Sequence, residues 1–569
     1  MATRDVGETT PLISQPEVSA SDAAEPIKLS KFRLILLFST LYFGVMLAAI
    51  DTTIVSTLLG HIGSDLNALD SVSWIAAGYT VAYSAFQPLY GKFSDIWGRK
   101  HVSITCTAMF AIGCAICGVA PGLKLLVFGR FVSGVGAGGM LSMSTVTVSD
   151  YVSLRSRGIF QGIGNVCFGV GASLGSVLGG WITAYSGWRT AFTAQVPPII
   201  LAIIAQFILL KEKPVLNTTS RKTWERIDWL GSFTLVSSLL MFMLAITTGG
   251  VHFNWVSWQM LLMLSTTVAL FSVFWYAEKH IAIEPVMPLD ILMHKTIFNA
   301  CLTNFISSGA VFAFIFYCPI FLQALYHYSY IVVGHRIVAN FAGVVTGSLG
   351  SGIIMRRTGK YHSLGVRCCS LMTLGSLILL LTPYVGPGVA GSAVYQSLSY
   401  FLTGVGYSGM LTVTLLALIA AVDPQFQATT TAAQYTFRGA GSSLGIAIAA
   451  AIFSNVLNTN LIRKIGVDTD ETAKIVDTVS KSLEAIWDQP AEFQPSIIAS
   501  YKNAGLAVLA FTTACGLIAI FTCSQMDEHD LERRPPAVTS SDHSDSLQNN
   551  EAGDLPRAST PPGPLVGEP

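Results

Sequence analysis

An apolar run of about twenty residues, the length a helix needs to cross some 30 Å of hydrocarbon, recurs fourteen times along this 569-residue chain. The runs fall near 34–59, 73–91, 102–121, 124–148, 159–183, 191–210, 229–250, 257–277, 297–325, 331–355, 364–384, 393–421, 429–457 and 503–523. Hydrocarbon offers no water to satisfy backbone polar groups, so each run must close its own hydrogen bonds as a helix. The predicted fold class is an all-α membrane protein with fourteen transmembrane helices. Composition agrees, since 51% of the residues are hydrophobic and only 12% are charged, about half the charged share of a soluble domain. Lysine plus arginine equal aspartate plus glutamate at 33 each, so no net charge argues for nucleic acid as a partner.

An even number of crossings puts both tails on one side. Lys92, Arg99, Lys100, Arg155, Arg157, Lys211, Lys213, Arg221, Lys222, Arg226, Arg356, Arg357 and Lys360 all follow even-numbered runs. Basic residues in short loops mark the cytosolic side, so both termini are expected there. The tails, 1–30 and 524–569, are read as disordered. The first carries Asp5, Glu8, Glu17, Asp22 and Glu25, the opposite of a basic leader, and no cleavable signal peptide is expected. The long loop on the far side, 461–502, contains "IVDTVSKSLEAIW", and its helical spacing predicts an amphipathic segment lying on the membrane surface. Most of the ten cysteines fall inside apolar runs. Cys114 and Cys117 are spaced as CxxC, yet within an apolar helix they read as small core residues rather than a redox or metal pair.

The chain repeats itself. "RFVSGVGAGGML" at 130–141 matches "YFLTGVGYSGML" at 400–411, with Gly134, Gly136 and Gly139 over Gly404, Gly406 and Gly409, an offset of 270. That offset carries into the next run, where "GASLG" at 171–175 meets "GSSLG" at 441–445. Earlier, Gly91, Gly98 and Arg99 of "GKFSDIWGRK" fall over Gly352, Gly359 and Lys360 at an offset of 261. Parallel six-span repeats about an axis normal to the membrane place a substrate site between the halves. This predicts a six-helix bundle over 31–211, a second over 296–523, and two inserted spans with their loops over 212–295.

Charges inside the runs are the candidates for chemistry. Asp51 lies in "LAAIDTTIVSTLL", where an ionised carboxylate costs about 2.5–3.5 kcal/mol unless it faces the bundle and finds a partner. Counting about 1.5 Å per residue, Asp51 in the first run and Arg130 in the fourth reach the same depth, so they are expected to meet. Arg438, and His335 with Arg336, are the other in-span cations, each either functional or snorkelling to an interface. No catalytic constellation, phosphate loop or metal-ligand cluster is found, so no enzyme activity, cofactor or metal is expected.

"GKFSDIWGRK" resembles the cytosolic loop signature of the major facilitator superfamily, carried here by Gly91, Asp95, Gly98, Arg99 and Lys100. Asp95 at a helix end is expected to pair with an arginine of the neighbouring loop, Arg155 or Arg157. "GNVCFGVGASLGSVLGGW" resembles the family's antiporter motif, a ladder of packing glycines such as Gly171, Gly175 and Gly179, joined by Gly134 in the run before. Ser176 stands where that ladder usually has proline. "GWRTAFTAQVPP", with Trp188, Arg189, Phe192 and Pro197, is similar to the fourteen-span proton antiporter branch. "FYCPIFLQ", "GSLGSGIIMRRTGKY" and "TTAAQYTFRGAGSSLG" resemble fungal vacuolar basic amino acid transporters. The resemblance implies a proton-coupled antiporter that carries lysine, arginine and histidine from the cytosol into an acidic vacuole; the in-span charges Asp51, Arg130 and Arg438 are then the candidates for its substrate and proton pathway, and a monomer is expected. Against this, a cationic cargo should want spare acids in the membrane, and Asp51 stands alone among three arginines. Plasma-membrane efflux of drugs or siderophores, or a transporter-like nutrient receptor, are the competing readings. In the N-tail, Glu8, Leu12 and Ile13 match an acidic dileucine signal for an adaptor complex. Asn217 begins a glycosylation sequon in a loop expected to be cytosolic, where it stays unmodified.

Overall fold

The computed structural model describes residues 30–66, 73–210, 228–249, 253, 256–282, 289–328, 330–423, 426–465, 474–476, 478–479 and 486–529. Both expected tails for the most part, the sorting residues Glu8, Leu12 and Ile13, and Asn217 lie outside them. The described chain is almost wholly helical. The first half gives α1 (Lys31–Asp65), α2 (Ser73–Ala85), α3 (Gln87–Trp97), α4 (Arg99–Val119), α5 (Leu123–Tyr151), α6 (Leu154–Ser186), α7 (Trp188–Thr193) and α8 (Val196–Leu209). Next come α9 (Trp229–Thr248) and α10 (Trp258–His280), and a short α11 (Leu289–Leu292). The second half gives α12 (Lys295–Tyr326), α13 (Tyr330–Thr358), α14 (His362–Leu380), a short α15 (Pro387–Ala390), α16 (Ala393–Ala420), α17 (Gln427–Ile465) and α18 (Gln494–Ser524).

Among the described residues, twelve helical segments are long and apolar enough to cross a membrane. The other two runs are helical too. Run 73–91 breaks at Phe86 into α2 and α3, with Pro88 in the first turn of the second piece, where its missing N–H costs nothing. Run 159–183 is α6.

The repeat in the sequence reappears as matched packing. A side chain on Gly136 would strike the backbone of Cys106 and Phe110 on α4, and one on Gly406 would strike Cys368 and Met372 on α14. Likewise Gly171 and Gly175 hold α6 against the carbonyls of Met46 and Ile50 on α1, as Gly441 and Gly445 hold α17 against Phe305 and Gly309 on α12. Gly98 and Gly359 both take positive φ, +88° and +70°, a conformation that favours glycine. The contacts between the halves obey the same symmetry. A Cβ at Gly91 of α3 would sit 2.7 Å from the carbonyl oxygen of Ala428 on α17, and one at Gly352 of α13 would sit 2.7 Å from that of Gly158 on α6. These approaches lie at the end that carries the basic loops, and hydrogen bonds reinforce them: Arg157 to Gln427 at 2.8 Å, Asn165 to Ser348 at 2.7 Å, and Thr145 with Tyr435 at 2.8 Å. Helix α9 lies against α2 and α17, where Leu235 and Val236 bury with Leu89 and Ala433.

One expectation changes. Asp95 pairs not with Arg157 but with Arg99, four residues on, at 2.6 Å. Arg99 also reaches Asp150 at 3.1 Å, while Arg157 is engaged with Gln427 and the Val152 carbonyl; the Arg155 side chain lies outside the described residues. Burial raises the Asp95 carboxyl above its ordinary range, and the attraction of Arg99 only partly offsets it. Of the loop 461–502, the described residues Ile475, Val479 and Ile486 are buried with Leu457, Leu461, Ile497, Tyr501 and Ala324, against the ends of α12, α17 and α18. At the opposite end, the residues after α18 fold under the second half. The Lys295 ammonium meets Asp527 at 2.8 Å, and the Tyr361 hydroxyl donates to the Asp527 carbonyl and accepts from the His529 N–H.

Candidate functional site

Asp51 lies about 30 Å along α1 at 1.5 Å per residue, and the glycine contacts of α6 at Met46 and Ile50 bring the backbone of that helix close around it. On α5, the glycines at 134, 136, 138 and 139 let α2 and α4 approach to backbone contact, which pulls Arg130 into the centre of the bundle. The expected pair forms: Arg130 Nη1 donates to Asp51 Oδ2 at 2.5 Å, with Asp51 0% and Arg130 1% exposed. Gln195 Nε2 approaches the second carboxylate oxygen at 3.5 Å. The Tyr79 ring lies 4.1 Å from the Arg130 guanidinium carbon and Phe192 5.9 Å, a cation–π arrangement that shares the charge. Breaking a buried pair by neutralising one partner costs about 3–5 kcal/mol, because the other charge stays behind.

Tyr79 connects this pair to the space between the halves. Its hydroxyl bonds with Thr52 at 3.2 Å and the Ala48 carbonyl at 3.3 Å, its ring stacks on Tyr83 at 6.0 Å, and both tyrosines line a cavity of about 120 Å³. The opposite wall of that cavity is Phe312, Tyr435, Arg438 and Ser442. A smaller cavity of about 30 Å³ continues toward the basic-loop end between Tyr42, Gln161, Asn165, Thr412 and Arg157, and Arg438 lines both. Among the described residues no carboxylate lines either one.

The other candidates fall elsewhere. Lys100 rests over the Phe207 ring at 4.5 Å, and with Gly91, Asp95, Gly98 and Arg99 it belongs to the basic-loop end. Arg336 is half-buried and donates to Gln396 at 3.3 Å, while His335 is exposed, so neither joins the central cavity. Gly179 is buried in α6, and the Ser176 side chain lies outside the described residues. At the far end, Arg189 and Trp188 both bond Asp65 at 3.0 Å. Sequence reasoning missed Tyr79, Gln195 and Gln87, uncharged polar residues inside apolar runs, although Gln195 stood within the quoted "AQVPP". It also passed over Glu278, which is buried at the end of α10.

Two helical halves in pseudo-twofold relation, closed on each other at one end and enclosing a largely aromatic cavity beside a buried ion pair, define a membrane transporter rather than an enzyme. The family model of the Major Facilitator Superfamily matches residues 41–446, and the chain belongs to that family. It is 35% identical to Multidrug resistance protein fnx1 of Schizosaccharomyces pombe, over 90% of this chain and 94% of that protein. It is 31% identical to Vacuolar basic amino acid transporter 1 of Saccharomyces cerevisiae, over 80% of this chain and 84% of that protein. The crystal structure of the human organic anion transporter MFSD10 shares the fold at a TM-score of 0.56 and 14% identity, covering 86% of this chain and 99% of that one.

Proposed function

We propose that this transporter is a proton-coupled antiporter moving basic amino acids, lysine, arginine and histidine, from the cytosol into the vacuole by alternating access. The observation that carries the reading is the Asp51–Arg130 pair, sealed from solvent and one aromatic ring from the central cavity. A proton arriving from the acidic lumen neutralises Asp51 and frees Arg130. The guanidinium then leans on Tyr79, which moves the cavity wall, so the protonated state and the cargo-loaded state favour different arrangements of the halves. The bundles 31–211 and 296–523 rock about the cavity, with 212–295 as the insertion. Similarity to the yeast vacuolar basic amino acid transporter supports both cargo and membrane, and Glu8, Leu12 and Ile13 would supply an adaptor-read address with both termini cytosolic.

The test is uptake by purified protein in liposomes made acidic inside, offered labelled lysine, arginine, histidine, glutamine and a cationic dye. Accumulation of the three basic amino acids, abolished by a protonophore, is the expected result. Accumulation of the dye alone would favour the second reading, drug efflux, which the fission-yeast relative's name and the aromatic walls of the cavity support. Imaging of tagged protein separates the two by address, vacuolar rim against cell periphery.

A further inference from the structure

Each of three arginines in this fold has a carboxylate: Arg130 has Asp51, Arg99 has Asp95 and Asp150, and Arg189 has Asp65. Arg438 has none. It projects from α17 into the junction of the two central cavities, and its neighbours there are Tyr83, Tyr407 and Tyr435, with the Tyr407 ring 6.0 Å from the guanidinium carbon. A guanidinium held inside a membrane protein without an anion is costly, and a site that keeps one is built for a ligand that brings the anion. A second observation points the same way. The Ser84 hydroxyl, 1% exposed, has no hydrogen-bond partner among the described residues, and Gln87, also 1% exposed, has none beyond the neighbouring Tyr83. Both face the cavity that Arg438 lines.

We propose that Arg438 is the receptor for a carboxylate on the transported solute, so that the cargo class is defined by an acid group rather than by positive charge. A guanidinium fork takes a planar carboxylate through two parallel hydrogen bonds. Gln87 and Ser84, on the opposite half, supply the remaining polar contacts, and a cargo bonded to both halves holds them together. The faces of Tyr79, Tyr83 and Tyr435 receive the rest of the molecule. A basic side chain is stabilised there by cation–π attraction, which removes the difficulty that a cationic cargo finds no free acid in the cavity. This deepens the amino-acid reading and rests on it only for which acid is carried.

The experiment measures binding to the purified full-length protein by thermal stabilisation, using pairs that differ only in the acid: arginine against its methyl ester and against agmatine, lysine against cadaverine, and naphthylacetate against its methyl ester. Wild type is expected to bind at least one acid ten-fold or more tighter than its partner. R438Q should lose that preference while binding the esters and amines no more weakly than wild type, and R438K should recover part of it. Ligand-free R438Q should unfold no earlier than wild type, since it gives up a charge that has no counter-ion. Equal binding within every pair, a preference that survives in R438Q, or no binding by any acid would each overturn the proposal. If naphthylacetate alone shows the preference, the carboxylate receptor stands and the amino-acid reading fails.

Discussion

Replacing Asp51 with asparagine keeps the shape of the side chain and removes its charge, leaving Arg130 in a site where 1% of its surface is exposed. The guanidinium retains the Tyr79 and Phe192 faces at 4.1 and 5.9 Å, but cation–π attraction offers about 2 kcal/mol when desolvated, less than the loss of the anion. The expected cost is therefore about 3 kcal/mol, the low end for breaking a buried pair. The double variant D51N/R130M removes both charges and fills the space with a flexible apolar chain, and it should recover to within about 1 kcal/mol of wild type. R130M alone strands the carboxylate and should also cost about 3 kcal/mol, so the double-mutant cycle gives a coupling energy of about 5 kcal/mol. The assay is unfolding in detergent followed by a thiol-reactive dye, since Cys114 and Cys117 are free and buried in the same bundle. Neither D51N nor the double variant should accumulate arginine under a pH gradient, because stability and coupling are separate properties of the carboxylate. If D51N unfolds with wild type, or the double variant is no more stable than the single, the reasoning about the pair is wrong.

Three other outcomes are expected. Gly352→Val puts branched carbon where a Cβ already lies 2.7 Å from the Gly158 carbonyl, so it should abolish uptake more than ten-fold and raise crosslinking-reagent access at the basic-loop end, while the second-half helices keep their protease resistance. Tyr79→Phe removes the bonds to Thr52 and Ala48 but keeps the ring on Arg130, so it should cost about 1 kcal/mol; Tyr79→Leu also removes the ring and should cost more in the same unfolding assay. Asp527 is held below the ordinary carboxylate range by the Lys295 hydrogen bond. A depressed folded value means that the clamp beneath α12 contributes above about pH 4 and is lost as pH falls through the folded value; D527N should remove that dependence, read as hydrogen exchange over 524–529.

The spans, the repeat and the Asp51–Arg130 pair were legible because each leaves a strong mark on a single sequence: length, offset, and charge where charge is expensive. Residues that act through geometry leave no such mark. Tyr79 and Gln195 look like any polar residue in an apolar run until the glycines of α5 and α6 draw the helices together. The partner of Asp95 was misassigned because loop order suggested a neighbour, whereas the tight turn at Gly98 brings Arg99, only four residues on, back to Asp95. The loop around Ile475 and Val479 showed its amphipathic pattern plainly, but the pattern cannot distinguish lipid from the ends of three helices as the apolar partner.

The most direct test of the account measures proton and substrate flux together, in liposomes that are acidic inside, carry a trapped pH dye, and are given labelled arginine outside. Wild type is expected to alkalinise the interior in fixed proportion to arginine uptake, and D51N to take up no arginine and move no protons unless unlabelled arginine is loaded inside, when it exchanges arginine for arginine with no change of internal pH. Arginine entering wild-type vesicles without a change of internal pH, or D51N moving protons in the wild-type proportion, would contradict it.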